Sequence, residues 1–235
     1  MSIKVVLFDL DGTLLPMDQK EFVNAYMGTM SKTLGEHGYA YDMLMKGVWG
    51  GMQAMKDNDG SCRNEEIFWK IFTSVFGELS KEELEVFDQY YYNEFQQVKE
   101  SCGFDPKAAP FVRSLKEKGY RTVLATNPLF PRIATESRMR WAGLTPEDFD
   151  LYTTYENSSF CKPNLDYYRE IVSKLGVSAE ECLMVGNDVS EDMITEQLGM
   201  KVFLLTPHLI NKENKDISAY PQGDFDDLQA FVENM

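Results

Sequence analysis

Ile3-Lys4-Val5-Val6-Leu7-Phe8-Asp9-Leu10-Asp11-Gly12-Thr13 is the stretch on which the fold turns. Its first part is short, β-branched and almost wholly apolar, the composition of a strand buried on both faces of a parallel sheet. The apolar run stops abruptly at Asp9, and a second carboxylate follows at Asp11. A spacing of two keeps both carboxylates on one side for as long as strand geometry persists. They leave the strand at its carboxyl end, where open α/β sheets place their ligands.

Comparable apolar runs recur at Thr122-Val123-Leu124-Ala125, Cys182-Leu183-Met184-Val185 and Lys201-Val202-Phe203-Leu204-Leu205, with a weaker one at Asp150-Leu151-Tyr152-Thr153-Thr154, so five strands are expected. Helix-period segments lie between them, from Phe111 to Lys118, Pro131 to Ala142, Leu165 to Leu175 and Met193 to Leu198. Each is followed by a glycine, at 119, 143, 176 and 199, where a helix end favours the left-handed conformation. Thr145-Pro146-Glu147 and Ser178-Ala179-Glu180-Glu181 are helix-start signals. The alternation predicts an α/β fold, a Rossmann-like doubly wound parallel sheet.

Residues 15–102 break the alternation, with helical patterns and no convincing strand. Ser80-Lys81-Glu82-Glu83 is a capping box opening a helix that runs towards Phe95. The expectation is a helical cap domain, residues 15–102, inserted after the first strand of a core formed by 1–14 and 103–235. The aromatic residues Phe22, Tyr26, Trp49, Phe68, Trp69, Phe72, Phe76 and Phe87 read as the insert's own core. Gly47-Val48-Trp49-Gly50-Gly51-Met52 and Asp57-Asn58-Asp59-Gly60-Ser61 read as loops.

The composition narrows the function. A chain of 235 residues, 43% hydrophobic and 26% charged, has the makings of a folded soluble protein with a substantial core. Acidic residues outnumber basic ones 38 to 23, for a net charge of −15, which argues against nucleic acid as a partner. No apolar run approaches the roughly 20 residues of a membrane helix, and the start reads as unprocessed, so a cytoplasmic protein is expected. The four cysteines, Cys62, Cys102, Cys161 and Cys182, form no CxxC pair and read as reduced thiols. With only His37 and His208, a histidine metal cage is disfavoured as well.

Polar groups follow four successive strands: Asp9 and Asp11, then Thr126-Asn127-Pro128, then Lys162-Pro163-Asn164, then Gly186-Asn187-Asp188 with Glu191 and Asp192 beyond. In a parallel sheet they converge on one edge. This ordered set resembles the haloacid dehalogenase superfamily of phosphohydrolases along essentially the whole chain. The family's four motifs are matched by Asp9-Leu10-Asp11-Gly12-Thr13, by Thr126, by Lys162 and by the acidic cluster of Asp188 and Asp192, and the helical insert resembles its C1-type cap. The resemblance implies that Asp9 is the nucleophile, Asp11 the acid/base and Mg²⁺ the cofactor.

Electrostatics agrees with that implication. Two carboxylates at ~4 Å repel by about 4 kcal/mol at an effective dielectric of about 20, so neighbouring ionised ones need a cation or a proton. An all-oxygen set of carboxylates and a carbonyl suits Mg²⁺. Asp9 can then attack phosphorus while Asp11 protonates the leaving oxygen and later activates water. Thr126 and Asn127 can bind phosphate oxygens, and Lys162 supplies positive charge. The metal set is Asp9, Asp11, Asn187 and Asp188. The family's fourth motif commonly reads Gly-Asp, and here Asn187 intervenes, so Asp188 is favoured as the main acidic ligand and Asp192 as the residue that orients Lys162 or a metal-bound water.

The expected activity is Mg²⁺-dependent hydrolysis of a small phosphorylated metabolite through an aspartyl-phosphate, with Trp49 touching the leaving group. A phosphomutase that holds a second phosphate with Lys32, Lys46 or Lys56 is the alternative. A 2-haloacid dehalogenase is disfavoured because a halide leaves unprotonated and has no use for Asp11. A silent binding module is disfavoured because no motif position has lost its reactive group.

Overall fold

The computed structural model describes residues 2–235. The N-terminal apolar run becomes β1 (Val5–Phe8), every residue of which is buried. It pairs in parallel with β2 (Arg121–Leu124) on one side and β4 (Cys182–Gly186) on the other. With β3 (Leu151–Tyr152), β5 (Lys201–Leu205) and β6 (Gln222–Gly223), the six-stranded sheet has the order β3-β2-β1-β4-β5-β6, parallel throughout. The chain builds one half outward from β1 and then returns to build the other, so the strand order reverses between β1 and β4. A crevice at the carboxyl ends of the strands opens there.

Strand alternation divides the core in two. Val5 and Leu7 face a cluster that includes Tyr167, Tyr168 and Ile171 of α7 (Leu165–Leu175) and Met193 of the 3-10 turn Met193–Leu198. Val6 and Phe8 face the opposite cluster, with α5 (Ala108–Glu117), α6 (Arg132–Trp141) and α8 (Phe225–Glu233). Helices on both faces explain why β1 is continuously apolar rather than alternating. The five expected strands are present. The short β6 and α8 were not anticipated, because Gln222-Gly223 has no apolar content to mark it as a strand.

Between β1 and β2 lies the helical insertion: α1 (Gln19–Glu36), α2 (Tyr41–Lys56), α3 (Asn64–Phe76), α4 (Lys81–Tyr92) and a 3-10 run, Glu94–Ser101. Asp18 caps α1 by accepting from the backbone N–H groups of Lys20 and Glu21 at 2.8 and 3.0 Å. The expected box at α4 forms, Ser80 Oγ accepting from Glu83 N–H at 3.2 Å while the Glu83 carboxylate accepts from Ser80 N–H at 2.8 Å. At the base of the insertion the two passing chains pair, Met17 with Cys102, and Gly103 N–H donates to the Pro16 carbonyl at 2.7 Å.

The structure corrects the reading of Gly47–Met52 as a loop: it lies inside α2. The glycines are there for close packing. A Cβ on Gly47 would stand 3.0 Å from the Phe72 ring, and one on Gly51 would stand 2.5 Å from the Phe68 ring. Two bare turns thus let α3 press its aromatic face against α2, which outweighs the low helix propensity of glycine. Trp49 points away from that contact and is 46% exposed. The other aromatics form a core, as expected, but one shared with the sheet domain: Phe22 and Tyr26 of α1 pack on Phe130 at centroid distances of 6.1 and 5.2 Å.

A polar clasp also joins the insertion to the core. Asn64, fully buried at the start of α3, donates through Nδ2 to the carbonyls of Pro128 and Phe160 and accepts from Asn58 Nδ2 at 2.9 Å. Its backbone N–H donates to the Ser158 carbonyl at 2.9 Å. Asn64→Ala removes these partners from buried groups, an expected cost of about 2 kcal/mol. The thermal midpoint should fall by about 4–8 °C, measured by calorimetry; an unchanged midpoint would show that the clasp is not a stabilising joint.

Candidate active site

Asp9 extends the β1 ladder, its N–H donating to the Val185 carbonyl at 2.9 Å, and its carboxylate emerges in the crevice. The chain then turns tightly, with Leu15 N–H bonded to the Leu10 carbonyl at 2.9 Å. Gly12 makes that turn possible. Its φ is +86°, and a Cβ there would collide with the Asn187 side chain, so both conformation and space demand glycine.

Lys162 is the electrostatic centre. Its Nζ donates to Asp9 Oδ1 at 2.8 Å and to Asp192 Oδ1 at 2.7 Å, and its side chain is 1% exposed. Burial works against the ammonium charge, but Asp192 and Asp9 outweigh it and hold Lys162 well above the ordinary lysine range. Asp192 is fully buried and tied down by its second oxygen, which accepts from Asp188 N–H at 3.0 Å. Asp192 thus orients Lys162, one of the two roles that its position in the sequence suggested.

Thr126 follows β2. Its carbonyl accepts from Thr153 Oγ1 at 2.7 Å and from the Tyr167 hydroxyl at 2.8 Å, which anchors the loop. Asn127 links the loops after three strands: Oδ1 accepts from Lys162 N–H at 3.3 Å and Nδ2 donates to Glu191 Oε2 at 3.2 Å. Glu191 is half-buried, and burial pushes its carboxyl upward against the pull of Lys162. Asp9, Thr126, Asn127, Lys162 and Asp192 therefore come together at the strand ends.

In the fourth loop the two candidate ligands, Asn187 and Asp188, have different surroundings. Asp188 Oδ1 accepts from the N–H groups of Ser190 and Glu191 at 2.8 and 3.0 Å, a turn-capping role. Asn187 is buried, and its amide is oriented by donation from Nδ2 to the His208 carbonyl at 2.7 Å. Asn187 Oδ1 consequently faces Thr13 Oγ1 at 3.0 Å, which also lies 3.2 Å from Asp9 Oδ2. One hydroxyl proton serves two acceptors. Asp11 Oδ1 is buried with no partner at all. Asp9 Oδ2 and Asn187 Oδ1, which share a single donor, are the kind of oxygens a hard cation satisfies, so this pair fits Mg²⁺.

Arg138 on α6 was missed. It is fully buried, and its Nη1 donates to Asp11 Oδ2. Burial pushes the Asp11 carboxyl above its ordinary range, opposed by Arg138. The signal was present: Ala134, Arg138 and Trp141 fall on one helical stripe, and a charge on an apolar stripe needs a partner. Trp49, by contrast, lies on the exposed face of α2. The enclosed space between the insertion and the core is a narrow cavity of about 40 Å³ whose lining includes Tyr26, Met52, Phe68, Trp69, Phe130 and Asp88 but not Trp49.

Residues 3–195 match the model of the haloacid dehalogenase-like hydrolases. The chain belongs to this family. It is 26% identical over 240 residues to the pyrimidine 5'-nucleotidase PynA of Streptococcus pneumoniae, covering 97% of this chain and 94% of that one. Among solved structures, a 2-haloacid dehalogenase from Pseudomonas syringae pv. Tomato superposes with a TM-score of 0.64 at 18% identity, covering 99% of each chain. The magnesium-bound YfnB of Bacillus subtilis superposes with a TM-score of 0.56 at 16% identity, again over 99% of each. These two show the shared fold. No helix among the described residues is long and apolar enough to cross a membrane.

Lys162→Met strips the counter-charge from two carboxylates, and the expected destabilisation is on the order of 3–5 kcal/mol. Adding Asp192→Asn should recover part of that stability, read by denaturant unfolding, with no return of activity. Full additivity of the two changes would show that Lys162 and Asp192 do not act as a pair.

Proposed function

We propose that this hydrolase is a Mg²⁺-dependent phosphatase acting on a small phosphorylated metabolite, with Asp9 as nucleophile. The observation that carries the reading is the Asp9 carboxylate fixed between Lys162 and Thr13, with Asp11 two residues further on. The held Asp9 oxygen attacks phosphorus as the ester P–O bond breaks, and Asp11 delivers its proton to the departing oxygen. Water then attacks the phosphorus of the aspartyl-phosphate, gives a proton to Asp11, and frees Asp9 and inorganic phosphate. Lys162 and the Thr126–Asn127 loop carry the charge of the non-bridging oxygens. Asp9, the Asp11 carbonyl and Asn187 would hold Mg²⁺, which supplies charge neutralisation for the incoming phosphate.

Two features set this reading apart from its rivals. A dehalogenase has no need of the proton that Asp11 provides, although the fold alone would accommodate one. For a phosphomutase, Lys32, Lys46 or Lys56 would have to hold a second phosphate, and all three are exposed on the insertion. Residues 15–102 act as the lid, and closing it excludes water from the phosphoenzyme. Pyrimidine 5'-nucleotides, the class in the name of the Streptococcus relative, are the first substrates to set against sugar phosphates.

Asp9→Asn keeps the side-chain volume and removes the nucleophile, so phosphate release should fall below a few per cent of wild type without loss of fold by circular dichroism. Asn187→Ala should raise the Mg²⁺ concentration needed for half-maximal activity more than Asp188→Ala does. Activity that survives excess chelator, or the opposite order of the two variants, would contradict the metal assignment.

A further inference from the structure

Arg138 is buried without contact to the proposed phosphate-binding residues, and every contact it makes serves to immobilise it. Its guanidinium carbon lies 4.3 Å from the centroid of the Phe130 ring and 6.0 Å from that of Phe22. Nε and Nη2 reach the Ala134 carbonyl and Thr135 Oγ1, each at 3.4 Å. Nη1 takes Asp11 Oδ2. Asp11 Oδ1, the other oxygen of the same carboxylate, is left with no partner.

We propose that Arg138 is a positioning residue for Asp11: its guanidinium grips one carboxylate oxygen and leaves the other free for proton transfer. A fixed planar donor suits this task because it restricts carboxylate rotation, which a flexible ammonium does poorly. The stack beneath it is built jointly. Phe130 belongs to the core and Phe22 to α1 of the insertion, and their rings meet edge to face at 6.1 Å. Seating α1 on the core therefore completes the surface on which Arg138 rests, so lid closure and the aim of Asp11 are one event. The inference rests on the phosphatase reading, in which Asp11 is the proton donor.

A leaving-group comparison on the full chain with saturating Mg²⁺ tests it. An alkyl phosphate needs its leaving oxygen protonated, whereas 4-nitrophenyl phosphate needs little help. Arg138→Met should lower kcat/KM by about a hundredfold on the alkyl ester and by only about a few-fold on the aryl ester. Arg138→Lys should recover part of the alkyl activity. In an Asp11→Asn background, Arg138→Met should bring no further loss. Equal losses on both esters, or a loss that persists without Asp11, would overturn the proposal. If Arg138→Met does not fold, Phe130→Leu keeps the charge pair and removes the platform; it should shift the alkyl-to-aryl ratio in the same direction, and an unchanged ratio would overturn the proposal. A wild-type chain that releases phosphate from neither ester would overturn the phosphatase reading and this inference with it; an active wild type with equal losses would overturn only this inference.

Discussion

One buried ammonium, Lys162 between Asp9 and Asp192, is the interaction on which the site depends. A lysine 1% exposed is affordable only when paired, and both partners come from elements far away in sequence, brought together by the reversal of strand order at β1 and β4. The arrangement keeps a carboxylate ionised and aimed while supplying positive charge in a chain whose net charge is −15. An anionic phosphate approaching this acidic protein would otherwise meet only repulsion.

A second buried pair, Arg138 with Asp11, lies on the lid side of the same crevice. In the proposed mechanism the two pairs divide the work: one holds the nucleophile, the other the proton carrier. They differ in what surrounds them. The groups that act most strongly on Lys162, Asp192, Asp9, Tyr168 and Tyr167, all belong to the core, whereas Arg138 lies on rings from both the core and the insertion. In the proposed mechanism the proton carrier is thereby coupled to the lid. That division suits an enzyme that must bind phosphate while open and begin chemistry when closed.

Much of this was legible in the sequence because it is local. The run Val5–Phe8 ending at Asp9 announces a buried strand with a carboxylate at its tip, and α7 spans the same residues that its periodicity marks out. Features that depend on distant partners were not legible. The glycines of α2 look like a loop until the Phe68 and Phe72 rings are placed against them. On paper Asp188 is favoured over Asn187 as the acidic ligand; that the His208 carbonyl turns the Asn187 amide and that two loop N–H groups bond Asp188 Oδ1 emerges only in the fold. Arg138 was discoverable as a charge on an apolar stripe, but its partner was not. The strand β6 carries no side-chain signal and exists through its pairing with β5.

In the proposed mechanism Asp9 carries the phosphoryl group between two steps. Its most direct test is acid quenching of the wild-type chain during turnover of a phosphate-labelled substrate, followed by peptide mapping. Label is expected on the peptide that contains Asp9, absent from the Asp9→Asn variant and discharged when the quench is delayed until substrate is exhausted. An actively turning over enzyme that carries no label, or carries it on another residue, would contradict it.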